Sequence, residues 1–276
     1  MMPVLRGMAA AVALAGTALA RRQPSPAPLV NQVVPQPASN PHAPECRFSD
    51  APVVLKQSGN AILQVWTVND SESLSSALLP VDGAFLEYRR TLERAGADRL
   101  RPVADQPQPA NESEREMWSR EKRNEELAYS GRAGVVRPVR CLDALLFAYQ
   151  NARYPQLSHP TEFIASILRQ TIDGKPVLRI YFAASDALFP SKDYYGFEDI
   201  KKEISAGWEF WAMLHNHTIQ RNNGAPALGV PALSSSDVDL LRSLAQSVAL
   251  QNAWITNGFY TIVLPVAALD QYLGRP

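Results

Sequence analysis

Two histidines separated by one residue, at the end of an apolar run, constrain the fold of this chain more than any other feature. His215-Asn216-His217 follows the apolar residues 208–214, and the chain has only four histidines. Residues i and i+2 of a strand point to the same side, whereas in a helix they would lie about 200° apart. The pair therefore predicts a strand that presents both imidazoles to one metal ion, with Asn216 facing away.

A carboxylate for the same site is expected from the next helix. Residues 234–236 are serines, which are favoured at helix N-termini, and Asp237 follows in or near the first turn. Val238 and Leu241 then recur at helical spacing, which favours Asp237 as the third ligand. A second Ser-x-x-Asp ends at Asp239, which remains an alternative ligand. Two histidines, one aspartate and a water form the open four-coordinate arrangement of catalytic zinc sites.

A general acid/base should lie near the metal without binding it. Glu162 opens the predicted strand 163–168, and it would lie over the open metal position if that strand neighbours the histidine strand. There it could take a proton from the attacking water and pass it to a leaving amine. The two other histidines, His42 and His159, are predicted not to be ligands.

Taken together, these residues resemble the signature of a known enzyme family. Glu162, the His-x-His pair and the Ser-x-x-Asp ending at Asp237 are similar to the motif of the JAMM (MPN-plus) zinc metalloproteases. Residues 159–169 are similar to the family's Pro-x-Glu strand, and the resemblance extends over residues 141–266. It implies a cytidine-deaminase-like JAMM/MPN core and hydrolysis of peptide or isopeptide bonds. Some members of the family have lost ligands and act as scaffolds.

The same resemblance implies a role for each site residue. His215, His217 and Asp237 would bind Zn²⁺, and Glu162 would be the general acid/base. Ser234 would donate a hydrogen bond to the oxyanion of the tetrahedral intermediate. The chain departs from the pattern after the second histidine, where Thr218 replaces a proline and residues 218–233 form a longer spacer than usual. This Gly- and Pro-containing insert is predicted to be a loop, either a lid or a specificity wall.

The N-terminus has the pattern of an export signal. Arg6 precedes the apolar residues 8–19, and Ala18-Leu19-Ala20 is a cleavage sequence. A signal peptide at 1–20, cleaved after Ala20, predicts a periplasmic or secreted protein with no stable membrane span; the alternative is an uncleaved anchor. Residues 21–45 contain seven prolines and are predicted to be a disordered tether. In an oxidising compartment Cys46 and Cys141 can pair, or they can remain two buried thiols.

The remaining pattern predicts a mixed α/β domain with a central sheet flanked by helices. Residues 46–140 are expected to pack on a core formed by 141–276, and the polar stretch 102–113 is expected to be a surface loop. In the helix predicted at 112–129, Met117 and Trp118 are the expected contacts, and the charged residues are expected to face solvent. The other predicted helices are at 84–95, at 237–250 and one that begins at 141. A hairpin is predicted from 51–55 and 61–68, and further strands are predicted at 163–168, 177–183, 208–214, 253–256 and 259–266.

Composition and motif together narrow the function. The net charge is zero, with 27 basic and 27 acidic residues, which argues against a nucleic-acid partner held through phosphates and against a nuclease suggested by the letters His-Asn-His. The leading hypothesis is an exported zinc peptidase or isopeptidase acting on a peptide or protein. The alternative is a non-catalytic MPN-type binding or scaffold module of the cell envelope.

Overall fold

A mixed β-sheet of eight strands organises the part of the chain that the structure describes. The computed structural model describes residues 46–70, 74, 76–100, 109–222 and 225–275. The strands are β1 (Val53–Ser58), β2 (Ala61–Asn69), β3 (Val135–Pro138), β4 (Ile164–Ile172), β5 (Lys175–Ala184), β6 (Glu209–Asn216), β7 (Gln220–Asn222), β8 (Ala225–Ala227), β9 (Asn252–Thr256) and β10 (Tyr260–Pro265). Their order in the sheet is β1-β2-β5-β4-β6-β9-β10-β3, and β7 pairs separately with β8. The predicted mixed α/β class is confirmed.

Helices cover both faces of this sheet. Among the described residues they are α1 (Gly83–Arg94), α2 (Glu112–Tyr129), α3 (Cys141–Arg153), α4 (Phe197–Ser205) and α5 (Ser235–Val248). On one face, α1 and α3 bury side chains such as Phe85 and Phe147 against the sheet. On the other face, α2, α4 and α5 do the same with Leu127, Ile200 and Leu241. The central strands are therefore buried on both sides, which explains their nearly continuous apolar sequences.

Two connections set the position of the site within this sheet. Asp173 and Gly174 both have positive φ, 51° and 74°, as a tight hairpin turn between β4 and β5 requires. β4 also pairs antiparallel with β6, with Ile164 opposite His215. β6 and β9 run parallel, and α5 connects them. The N-terminus of α5 consequently lies beside the end of β6.

Several elements differ from those predicted. The strands β3, β7 and β8 are too short to show an alternating pattern. The short helix α4 does carry apolar residues at helical spacing, Phe197, Ile200 and Ile204, and the sequence reading missed it. The insert 218–233, predicted as a loop, contains the β7–β8 hairpin. β4 begins at Ile164 and extends to Ile172 because the hairpin continues its pairing with β5. Glu162 therefore precedes the strand rather than opening it.

The contacts expected for the charged helix α2 also prove wrong. Met117 is exposed and Trp118 only half-buried, whereas Asn124, Glu125, Leu127 and Ala128 are buried. The contact face of α2 is thus partly polar, a combination that an apolar period cannot detect.

Other expectations concern residues beyond those described. The signal peptide at 1–20, the tether at 21–45 and most of the loop at 102–113 fall there. Within the described residues, no helix has the length and apolar character needed to cross a membrane.

A disulfide links the segment before β1 to the first residue of α3. Cys46 and Cys141 are bonded, with their Cα atoms 5.4 Å apart, and both are buried. The predicted pairing is confirmed. Because 95 positions separate the two cysteines, the bond removes much freedom from the unfolded chain. A disulfide is also consistent with an extracellular or periplasmic location.

We expect replacement of both cysteines by serine to lower the free energy of unfolding by about 2–4 kcal/mol, since the unfolded chain regains that freedom. Urea unfolding of the oxidised protein and of the double variant measures the difference. Reductant should lower the midpoint of the parent protein and leave that of the variant unchanged. Equal midpoints for the oxidised parent and the variant would contradict a stabilising role.

Candidate metal centre

The two histidines of the His-x-His pair project from the end of β6 toward the α5 face of the sheet. His215 lies within β6, and His217 follows directly after its last residue. The N–H of His217 still donates to the carbonyl of Thr256 at the end of β9, over 2.9 Å, so the extended conformation continues through the pair. Met213 and Ile255, on the same face as His215, belong to the core beneath α5. The predicted period-2 geometry is therefore present.

Asp237 is held in place by the N-terminal cap of α5. Ser234 is the N-cap residue; its backbone N–H donates to Asp237 Oδ2 over 2.8 Å, and its Oγ accepts from the Asp237 N–H over 3.2 Å. This reciprocal capping box fixes both the start of the helix and the orientation of the carboxylate. Since α5 starts next to the end of β6, the carboxylate faces both imidazoles.

The three side chains bring one ligand atom each to within 4.8 Å of one another, close enough to share a single ion. The Nε2 atoms of His215 and His217 lie 3.3 Å apart; His215 Nε2 is 3.3 Å from Asp237 Oδ1, and His217 Nε2 is 3.2 Å from Asp237 Oδ2. An ion with tetrahedral bonds of about 2.0–2.1 Å holds its ligands about 3.3 Å apart. This His-His-Asp group could hold a metal ion, and it is the one such group among the described residues.

Asp239, the alternative ligand, lies elsewhere. Its carboxylate accepts from the N–H of Arg275 over 3.3 Å, near the C-terminus. Two residues along a helix correspond to a rotation of about 200°, so Asp237 and Asp239 cannot both face β6. His159 is not part of the group either, and its Nε2 lies 2.8 Å from the carbonyl of Asp186.

The insert supplies a hydrogen bond that orients His217. Its Nδ1–H donates to the carbonyl of Val230 over 2.6 Å, which leaves Nε2 available as a metal ligand. The segment after β8 passes so close to the residues that follow β6 that a Cβ on Gly229 would lie 2.2 Å from the Thr218 carbonyl oxygen. Only glycine permits this approach, so the end of the insert is part of the site.

Asn216 positions the segment that carries Glu162. Its side chain faces away from the histidines, as predicted, and is fully buried. Its Oδ1 accepts from the N–H of Phe163 over 2.7 Å, and its Nδ2 donates to the carbonyl of Thr161 over 3.1 Å. These bonds fix both neighbours of Glu162 against the residue between the two histidines. Glu162 is buried beside the group, where the N–H of Thr218 donates to its carboxylate.

The charges of this cluster favour a cation within it. Burial opposes protonation of His217, but the hydrogen bond to Asp237 and the charges of Asp237 and Glu162 outweigh it and raise the pKa of His217 to about 9. Burial alone would raise the pKa of Asp237, yet the two imidazoles hold it well below its usual range. The pKa of Glu162 is raised, chiefly by burial, with the histidines acting in the opposite direction. Groups that attract a proton in this way also attract a metal ion.

A cavity of about 290 Å³ opens onto the group. Glu162, His217 and Asp237 line it together with Ser234, which was expected near the substrate oxygen. The Ser234 hydroxyl also lies 2.9 Å from Ser236 Oγ. The structure therefore brings together all five residues singled out by the motif, Glu162, His215, His217, Ser234 and Asp237.

Sequence reasoning missed two acidic residues of the same cavity. Glu121 and Glu125 reach it from α2, more than thirty residues before Glu162 in the chain. Their i,i+4 spacing, with Ala128 following on the same side, was the available signal. It was obscured by the many other charges of the helix.

Comparisons of this chain with protein-family models, with curated proteins and with solved structures found no match. The function must therefore be argued from the site itself.

Proposed function

We propose that this chain is an exported zinc-dependent peptidase or isopeptidase of the JAMM type. The observation that supports the proposal is a His-His-Asp group whose ligand atoms lie within 4.8 Å of one another, beside a buried glutamate that is not part of it. Catalytic zinc sites pair three protein ligands with an open position, and the adjoining cavity gives a substrate access to it. A purely structural site would be closed by a fourth protein ligand.

The roles of the residues follow from their positions. His215, His217 and Asp237 would hold the zinc ion, which would supply a water of lowered pKa and a Lewis acid for a carbonyl group. Glu162 receives a proton from the attacking water and delivers it to the amine that leaves as the C–N bond breaks. Its burial, which raises its pKa, suits a group that must both accept and return a proton. The Ser234 hydroxyl donates to the developing oxyanion from the cavity wall.

The disulfide supports export as part of the proposal, because it requires an oxidising compartment to form. The four carboxyl groups of the cavity would repel the phosphates of a nucleic acid. A peptide or protein is the substrate that an amide-directed site of this kind accepts.

Removal of the metal tests the proposal directly. We expect a chelator to reduce hydrolysis of a mixture of quenched-fluorescent peptides by at least about 100-fold, since the ion contributes several kcal/mol to the transition state. One equivalent of zinc should restore the rate. Hydrolysis that persists after complete metal removal would contradict the proposal. Zinc binding without turnover of any peptide would favour the scaffold alternative.

A further inference from the structure

A second, smaller pocket lies on the opposite face of the sheet from the metal centre. Trp211 on β6 and Trp254 on β9 both line it, and their rings cross at 80° with centroids 5.0 Å apart. Both rings pack with the core beneath α1 and α3, whereas His215 faces α5. We call this space of about 150 Å³ the indole pocket. No residue of the metal centre lines it, so its lining requires a separate explanation.

The indole N–H of Trp254 is a hydrogen-bond donor without an acceptor. Trp254 is only 7 % exposed, and its Nε1 is buried with no hydrogen-bond partner among the described residues. Buried polar groups in folded proteins are nearly always paired, because an unpaired one has lost its bond to water without replacement. Since Trp254 lines the indole pocket, a ligand there can supply the missing acceptor. The unpaired donor therefore indicates a bound group with an exposed oxygen.

The charged groups around the indole pocket leave one positive charge over. Asp143 is paired with Arg137 over 2.9 Å, and Asp70 is paired with Arg169 over 3.0 Å. Arg140 also lines the pocket, is exposed at its edge and has no ion pair with the described residues. It is the N-cap residue of α3, where the helix dipole adds partial positive charge. A surplus of one charge suits a monoanion better than a phosphate dianion, which the two aspartates would repel.

The rest of the lining indicates the size and polarity of the ligand. Beside the charged groups stand the apolar side chains of Leu74, Leu142, Trp211, Trp254 and Val263. An apolar cavity with the volume of this pocket is large enough for a molecule such as benzene. Two crossed indole rings offer both a face and an edge to a flat apolar group. A guanidinium and an indole N–H both donate, and a carboxylate accepts from both.

We propose that the indole pocket binds a small monocarboxylate whose apolar body is about the size of one ring. The carboxylate accepts hydrogen bonds from Trp254 Nε1 and from the Arg140 guanidinium, and the apolar body packs against the indole rings. A free carboxylic acid and the C-terminal residue of a peptide offer this same chemistry. The inference goes beyond the proposed function and is independent of it, because no residue of the metal centre takes part.

Benzoate and benzamide test the inference, because they have nearly the same shape and only benzoate is charged. Each is titrated into the ¹⁵N-labelled full chain, and the indole N–H signals are followed by NMR. We expect benzoate to bind at least about tenfold more tightly, since hydrogen bonds to an ionised acceptor are about twice as strong as neutral ones. The signal that is missing from Trp254→Phe belongs to Trp254, and it should shift most as its N–H gains an acceptor.

Two pairs of variants separate the donor from the charge. Trp254→Phe keeps an aromatic ring and removes the N–H, so benzoate binding should weaken about tenfold. Trp118→Phe is its matched control, because the Trp118 N–H is also buried without a partner but does not line the indole pocket. Arg140→Gln, at an exposed position that leaves the core intact, should weaken benzoate binding and leave benzamide binding unchanged. Arg153→Gln, at the other end of α3, should alter neither.

A third pair of probes distinguishes the two sources of the carboxylate. Acetyl-Gly-Phe ends in a free carboxylate, and its C-terminal amide does not. Tighter binding of this peptide than of benzoate assigns the pocket to a chain terminus, and the reverse assigns it to a free acid; both outcomes support the proposal. Equal binding of benzoate and benzamide would overturn it. So would tighter binding of inorganic phosphate than of benzoate, or the absence of binding by both acids at tens of millimolar.

Discussion

Replacement of Asp237 by alanine is expected to abolish stoichiometric zinc binding, while Asp239→Ala leaves it intact. The parent protein should hold about one zinc ion per chain. Loss of the Asp237 carboxylate removes one of three ligands and leaves two imidazoles that are too few for a stable site. We expect zinc affinity to fall by more than about 100-fold, since even changes to residues that only support a ligand cost about 10–100-fold.

The pair of aspartates offers a matched control within one helix. Both variants remove one negative charge from the first two turns of α5, but only Asp237 caps the helix and faces the histidines. Zinc content after dialysis, measured by mass spectrometry, distinguishes them. Part of the effect of Asp237→Ala on stability comes from the lost capping box, so thermal unfolding with chelator should be compared with the zinc measurement. Retention of zinc by Asp237→Ala together with its loss in Asp239→Ala would show that the ligand assignment is wrong.

The His-His-Asp group could be predicted from the sequence because local rules govern it. Alternation along a strand determines that His215 and His217 share a side and that Asn216 does not. The Ser-x-x-Asp pattern specifies a capping box, which places Asp237 at the third helical position. What the sequence left open was the register between two aspartates, and the packing of α5 on the sheet through Val238 and Leu241 decides it.

The presence of Glu121 and Glu125 in the cavity could not be predicted, because it depends on long-range packing. α2 reaches the site through Asn124 and its bonds to Leu233 and Leu273, which lie 109 and 149 positions away in the chain. A helix whose contacts are polar shows no apolar period, and its charges resemble a solvent-exposed face. The insert presents the same difficulty, since the role of Val230 as an acceptor for His217 follows only from the close approach at Gly229.

Replacement of Glu162 is the change that best separates catalysis from metal binding. We expect Glu162→Gln to retain zinc and to hydrolyse peptides about 10²–10⁴-fold more slowly, because an amide of nearly the same shape cannot accept the proton. Glu162 does not belong to the His-His-Asp group, so its replacement leaves the three ligands in place.

The neutral side chain also removes a negative charge next to His217, which should change zinc affinity far less than loss of a ligand does. The decisive measurement therefore compares the effect of the substitution on zinc content with its effect on the hydrolysis rate. We expect the zinc content to stay near one per chain while the rate falls close to background. Matched parent and variant samples, both loaded with one equivalent of zinc, exclude a trivial loss of metal. A variant that keeps its zinc and hydrolyses peptides at the parent rate would remove Glu162 from the mechanism, and proton transfer would then need another group in the cavity.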